Sequence, residues 1–117
     1  MKLNIAERFS LMNILPTKGN FILLQKVKIA QEKLIPTDEE IKKYAIITDP
    51  SGRTSWNKKG SKEEIEIGIG EVVTDEAIKI LKKKNEENTL AIGEVSLYEK
   101  FIENVKEDKY LPQKKEK

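Results

Sequence analysis

The chain has 117 residues, a length typical of one domain, of which 36% are charged and 38% hydrophobic. Its 22 basic and 20 acidic side chains give a formal net charge of +2, which is low for a protein that binds mainly by neutralising phosphates. Cysteine and histidine are absent, so the sequence excludes disulfides, thiol chemistry and the commonest general base of enzymes.

Hydropathy argues against a membrane segment. The longest apolar runs, such as Phe21–Leu24, are far too short to span a bilayer. The N-terminus also lacks the basic and then apolar layout of a signal peptide. We therefore expect no membrane partner, and a reducing cytoplasm as the compartment.

Three helices are predicted in the first 44 residues. Apolar spacing indicates a helix near 3–14, which Pro16 and Gly19 interrupt. A second helix near 20–34 has Asn20 as its N-cap and one apolar stripe, formed by Leu23, Val27, Ala30 and Leu34. Thr37–Glu40 matches a capping box and opens a short helix to about Tyr44.

The central region predicts a small antiparallel sheet. Strands near 45–48 and 53–57 flank Asp49–Gly52, whose proline and glycine favour a tight turn. In 65–69, isoleucines alternate with Glu or Gly, the pattern of a half-buried strand. With residues 57–62 as the connecting loop, we expect a three-stranded meander whose third strand lies at an edge.

The C-terminal part predicts two more helices. One covers about 72–86 with Thr74 as its cap, and the other covers about 90–105. The last helix has a wide apolar face, formed by Val95, Leu97, Tyr98, Phe101, Ile102 and Val105. The predicted fold is therefore α+β: one domain over 1–105 with four or five helices, and a polar tail over 106–117.

Two clusters have the composition of ligand sites, but their context favours ordinary surface. Gly68–Gly70 lies between a strand and a helix, as in phosphate-binding turns, yet the remaining fingerprint residues are missing. The acids of 63–76 suit Mg²⁺ or Ca²⁺, but no loop has EF-hand spacing. We expect no metal, no other cofactor and no enzymatic activity.

The basic end of the predicted hairpin is the first candidate binding surface. It combines Arg53 with Lys58, Lys59 and Lys62, and Trp56 lies beside it. Tryptophan is usually buried but is also a favoured interface anchor, so both roles stay open for Trp56. Tyr98 and Phe101 form a second candidate surface, for which packing within the chain is an equal alternative.

The order of three helices followed by a basic hairpin is typical of winged-helix modules, whose wing contacts phosphates. In this interpretation Arg53, Lys58, Lys59 and Lys62 are the wing contacts. The third helix is short and begins with acidic residues, which suits the major groove poorly. Nucleic-acid binding is therefore the alternative hypothesis and not the leading one.

Four segments carry a resemblance to a known group of proteins: "AERFSLMNILPTKGNF", "GRTSWN", "EIEIGIGE" and "SLYEKF". Together they resemble small uncharacterised proteins encoded by tailed bacteriophages and prophages, over most of the chain to about residue 103. The resemblance implies an accessory protein acting in the bacterial cytoplasm during infection. It transfers no functional residue.

The leading hypothesis is a non-catalytic phage accessory protein that binds a host or phage protein. Inhibition of a host defence or regulatory protein is one form that this binding would take. Charge blocks would steer the encounter, and apolar or aromatic anchors would hold the complex. A winged-helix-like nucleic-acid binder and a small virion structural or assembly protein are the alternatives. A homo-oligomer that uses the last helix is compatible with the leading hypothesis.

Overall fold

The computed structural model describes residues 1–103 of the chain. Within these residues it is an α+β fold of six α-helices and four two-residue strands. In chain order these are β1 (Lys2–Leu3), α1 (Ile5–Ile14), α2 (Phe21–Leu34), α3 (Asp38–Lys43), β2 (Ile47–Thr48), β3 (Thr54–Ser55), α4 (Lys58–Lys62), β4 (Ile65–Glu66), α5 (Glu71–Glu86) and α6 (Val95–Tyr98). A 3₁₀ turn (Ile92–Glu94) precedes α6, and a π-helical turn (Glu99–Glu103) follows it.

Side-chain caps fix where the first helices begin. The Asn20 side chain accepts a hydrogen bond from the Leu23 amide at 2.8 Å, and Thr37 and Glu40 form a reciprocal capping box. Both predicted caps are thereby confirmed. The predicted cap at Thr74 is wrong, because α5 already begins after Gly70, whose φ of 87° only glycine adopts readily.

The strands pair differently from the predicted meander. β2 and β3 form the expected antiparallel hairpin, but β4 pairs with β1, with Leu3 opposite Ile65. The structure therefore contains two separate two-stranded sheets. The pairing of residues so distant in sequence was not predicted, because the two-residue strand β1 carries no alternating pattern of its own.

Helix α4 explains why β4 does not pair with the β2–β3 hairpin. Residues 57–62 were predicted as a loop, but Asn57 caps a short helix by accepting a hydrogen bond from the Gly60 amide at 3.0 Å. This helix packs against α1 and stands between β3 and β4. The predicted wing, with basic residues at a hairpin tip, is therefore not formed.

The core lies between α1, α2, α5 and the C-terminal helical segment. Its members are almost completely buried, and they include Leu3, Leu11, Val27, Leu34, Val73, Ala77, Leu81, Leu97 and Phe101. Of the predicted stripe of α2, Val27, Ala30 and Leu34 belong to this core and Leu23 packs against it. Burial of the larger of these side chains, the leucines, valines and Phe101, stabilises the packing of the helices by roughly 1.5–3 kcal/mol each.

The last predicted helix is shorter and less regular than expected. In place of one helix over 90–105, the chain forms the 3₁₀ turn, α6 and the π-helical turn in succession. The two final residues of that prediction, including Val105, and the predicted tail over 106–117 lie outside the described residues.

Arg8 is a buried cation that joins three helices. Its Nε donates to the Leu34 carbonyl at 3.0 Å, and its two terminal nitrogens donate to both carboxylate oxygens of Glu40 at 2.9 and 3.0 Å. The guanidinium of Arg8 holds the pKa of Glu40 below its ordinary value. α1, the end of α2 and the start of α3 are thus fixed to one side chain.

Lys100 makes the corresponding connection for the C-terminal turn. Its ammonium donates to the Lys2 carbonyl at 2.7 Å, to Glu7 at 2.7 Å and to Glu64 at 2.8 Å. The partners lie on β1, on α1 and next to β4. Because all three protons have acceptors, this partly buried charge is fully hydrogen-bonded.

We predict that Arg8→Met lowers the free energy of unfolding by about 3 kcal/mol, since it leaves Glu40 and the Leu34 carbonyl without their donor. Lys28→Met on the exposed side of α2 is the matched control and should change stability little. Urea unfolding measures both. A loss for Arg8→Met no larger than that of the control would contradict the assigned role.

Acid should weaken the ion pair of Arg8 with Glu40. Because the pKa of Glu40 is depressed in the folded state, its contribution is present above the unfolded pKa and is lost as the pH falls from about 5 through the folded value. Glu40→Gln should therefore flatten the decline of unfolding free energy in this range. Equal slopes for the wild type and the variant would refute this prediction.

Candidate functional site

Arg53 lies in the exposed turn of the β2–β3 hairpin. The Asp49 carboxylate organises this turn by accepting hydrogen bonds from the Ser51 hydroxyl at 2.6 Å, the Ser51 amide at 3.0 Å and the Arg53 amide at 2.9 Å. These bonds, the Ser51 hydroxyl first, lower the pKa of Asp49. The Arg53 guanidinium has no ion-pair partner within residues 1–103, so it is available to an anionic ligand.

Trp56 is half-buried, and its side chain contacts residues of both α4 and α1. Its ring lies 5.6 Å from the Phe9 ring, centroid to centroid, and its Nε1 donates to the Ser61 hydroxyl at 3.0 Å. Gly60 packs close beneath it. Of the two roles left open, packing within the chain accounts for the contacts of the indole.

Lys58, Lys59 and Lys62 project from α4 as a cluster of exposed cations. None of them forms an ion pair within the described part of the chain. The structure therefore brings the three lysines together on one short helix beside Trp56. Arg53 is separate from them, because it belongs to the hairpin turn.

A hydrogen-bonded network links this cluster to the end of α3. The Tyr44 hydroxyl donates to Glu63 at 2.8 Å, and the Lys43 ammonium approaches the same carboxylate at 3.0 Å. These contacts lower the pKa of Glu63, and Glu63 in turn raises the pKa of Lys43. Burial raises the pKa of Tyr44, which remains a neutral donor in this network.

The second predicted surface, around Tyr98 and Phe101, is mostly interior. Phe101 is only 1% exposed and belongs to the core, so it is a packing residue. Tyr98 is partly buried against the same core, and its hydroxyl accepts a hydrogen bond from the Asn85 amide nitrogen at 3.4 Å. Packing within the chain therefore accounts for both aromatic side chains.

An exposed apolar surface lies instead on α2 and the start of α5. Large side chains face solvent there: Ile22 is 58% exposed, Ile29 51% and Val72 44%. Lys26, Ile29 and Lys33 form one wall of a groove of about 380 Å³, and residues 69–73 form the other. We call this feature the α2–α5 groove. Ile22 lies beyond the end of this lining, one helical turn before Lys26 on α2.

The exposed isoleucines of α2 are a sequence signal for this groove, but the core-facing apolar stripe of the same helix makes the signal easy to overlook. The core-facing positions of α2 already supply a full apolar stripe, so Ile22 and Ile29 are additional apolar residues on the polar side. An isoleucine between two lysines, as in Lys26–Ile29–Lys33, is unusual for a purely solvated face. Such excess apolar residues indicate a contact surface when they are grouped.

Residues 1–103 contain neither a metal site nor a membrane-spanning helix. No group of acidic side chains there is arranged to hold a metal ion, and every buried side-chain nitrogen or oxygen has a hydrogen-bond partner. None of the helices in this range is long and apolar enough to cross a membrane. The exposed lysines of α4 and the α2–α5 groove are therefore the candidate binding surfaces within residues 1–103.

Gly60 provides a test of how α4 is seated. A Cβ atom at this position would lie 3.1 Å from Cβ of Tyr44 and 3.2 Å from Cδ1 of Trp56. We predict that Gly60→Ala destabilises the fold by about 1 kcal/mol or more despite the better helix propensity of alanine. Gly68→Ala, where no atom lies within 4 Å of the new Cβ, is the control and should be neutral or slightly stabilising. Urea unfolding followed by the fluorescence of Trp56 measures both, and a neutral Gly60→Ala would contradict the tight packing.

Comparison of the chain with protein-family models, with curated proteins and with solved structures finds no match.

Proposed function

We propose that the protein is a non-catalytic binding protein that holds a protein partner in the α2–α5 groove. One observation carries this proposal: Ile29 and Val72 are each about half exposed and line opposite walls of one groove, and the exposed Ile22 lies one helical turn before the lining residue Lys26. Scattered surface hydrophobics are ordinary, whereas grouped ones in a concavity are typical of interaction sites.

The energetics of the groove suit a protein ligand. Full burial of an aliphatic side chain contributes roughly 1.5–3 kcal/mol, so a few such anchors suffice for a specific complex. The anchors stand on two helices whose other sides are fixed in the core, so a partner need not order them. The lysines at the rim of the groove would mainly steer the encounter with the partner. They would contribute less by excluding water.

The biological role we propose is that of an accessory protein of a tailed phage or prophage, acting in the bacterial cytoplasm. The resemblance of its segments to such proteins supports this part of the proposal. A host defence or regulatory protein is then a suitable partner, and occupation of one of its surfaces would inhibit it. A binding protein of this kind requires neither a cofactor nor a catalytic group.

The proposal predicts that Ile29→Asp abolishes partner capture. Removal of a central anchor costs about 2 kcal/mol or more, which corresponds to roughly thirtyfold in affinity. Tagged protein is used to capture partners from nuclease-treated bacterial lysate, and the co-eluting protein is identified by mass spectrometry. It should be stoichiometric with the wild type and absent with Ile29→Asp.

Ile92→Asp is the matched control, because Ile92 is 92% exposed and does not line the groove. It should retain the partner at the wild-type level. Both variants must keep the wild-type unfolding midpoint, since neither side chain is buried. Equal capture by Ile29→Asp and Ile92→Asp would exclude the groove as the binding site.

A second candidate function, nucleic-acid binding, is favoured by the three lysines on α4 that have no ion-pair partner within residues 1–103. Arg53 on the hairpin adds a fourth exposed cation on a neighbouring element. Such a surface would contact phosphates without reading the sequence, because it presents charges and no recognition helix.

This candidate predicts that changing Lys58, Lys59 and Lys62 together to Gln weakens binding to duplex DNA. The dependence of the binding constant on salt should become less steep, by the amount that corresponds to about three lost phosphate contacts. The triple variant of Lys79, Lys82 and Lys83 to Gln on α5 is the control for a general loss of charge. Fluorescence anisotropy at several salt concentrations measures the slopes. Binding that is absent, or equally reduced in both triple variants, would remove this candidate.

A further inference from the structure

We infer that the occupant of the α2–α5 groove is an acidic amphipathic segment of another protein, with its carboxylates directed toward α2. This inference rests on the proposed function and names the chemistry of the partner. It follows from the placement of charge around the apolar anchors, which differs between the two walls of the groove.

The α2 wall alternates apolar and cationic side chains. Ile22, Lys26, Ile29 and Lys33 are all exposed and follow one another at helical spacings along one side of α2. Lys26 and Lys33 have no ion-pair partner within residues 1–103. A ligand on this wall therefore meets an isoleucine with an ammonium group on either side.

The opposite wall carries the other sign of charge. It consists of residues 69–73 and includes Glu71, which is exposed in the first turn of α5. A bound segment whose acids faced Glu71 would be repelled, whereas acids that face Lys26 and Lys33 gain two contacts. The groove therefore also selects the orientation of the segment.

The spacing of the anchors specifies the apolar side of the ligand. Ile22 and Ile29 are seven residues apart, which is about two helical turns or roughly 10 Å along α2. A helix laid along the groove would match this distance with apolar side chains at positions i and i+7, and with Asp or Glu between them.

Two other occupants fit the charges less well. A second copy of the chain would place two α2 helices together, each with Lys26, Lys28 and Lys33 against the single acid Glu32. Residues 104–117 of the chain itself contain five lysines against three acidic residues, so they too are cationic. Like charges across an interface oppose association, and a separate acidic partner has no such penalty.

A selection with a random peptide library tests the inference. The full chain is immobilised, and displayed peptides of about 16 residues, enough for four helical turns, are enriched for binding. The expected peptides are acidic, with large apolar residues at helical spacing. A synthetic peptide of the enriched sequence should bind the wild type roughly tenfold more tightly than it binds the double variant Lys26→Glu with Lys33→Glu.

The double variant Lys79→Glu with Lys82→Glu provides the control, because it makes the same change of net charge outside the groove. It should retain most of the affinity, and the peptide with its acids changed to Lys should prefer the groove variant. Enrichment of neutral or basic peptides, no enrichment, or equal affinity for both double variants would overturn the inference. Self-association of the chain that Ile29→Asp abolishes would overturn it in favour of a second copy.

The outcomes also separate this inference from the proposed function. If the cellular partner is lost with Ile29→Asp but retained with Lys26→Glu and Lys33→Glu, the groove is the binding site and the acidic character of the partner is refuted. If Ile29→Asp retains the partner while acidic peptides bind the groove, the proposed cellular function fails and the peptide chemistry stands.

Discussion

The arrangement of the helices depends on Arg8, the one guanidinium that is buried in the part of the chain described. Its hydrogen bonds to the Leu34 carbonyl and to Glu40 require that the end of α2 and the start of α3 meet on the side of α1. A buried charge with these acceptors tolerates little displacement, because any lost contact leaves it uncompensated. With the core stripe of α2 held inward in this way, Ile22 and Ile29 necessarily face outward.

Local features of the fold were predictable and distant pairings were not. The side chains of Asn20 and Thr37 accept hydrogen bonds from amides three residues away, so short sequence patterns identify these two helix starts. The pairing of β1 with β4 joins residues that lie far apart and share no visible pattern. α4 was missed because its sequence, KKGSK, has a central glycine and no apolar periodicity; its cap at Asn57 and its packing against α1 stabilise it.

The residues of the candidate site were likewise predictable only in part. The basic character of Lys58, Lys59 and Lys62 was evident from sequence, and the structure does expose all three. Burial is a tertiary property, so the same pattern could not decide between core and surface for Phe101. Ile29 was passed over because the stripe through Val27 and Ala30 already explained α2 as an amphipathic helix. Only the position of α5 reveals that Ile29 lines a groove.

The ammonium of Lys100 has a consequence for the order of events on the ribosome. It contacts the Lys2 carbonyl across 98 positions of sequence, and Glu64 across 36. Synthesis proceeds at about 5–20 residues per second, so the N-terminal strand emerges several seconds before its lysine partner. During that interval the sides of α1 that pack against the 3₁₀ turn and α6 remain uncovered. Nascent chains should therefore expose these sides to chaperones until the last turn of helix has left the exit tunnel.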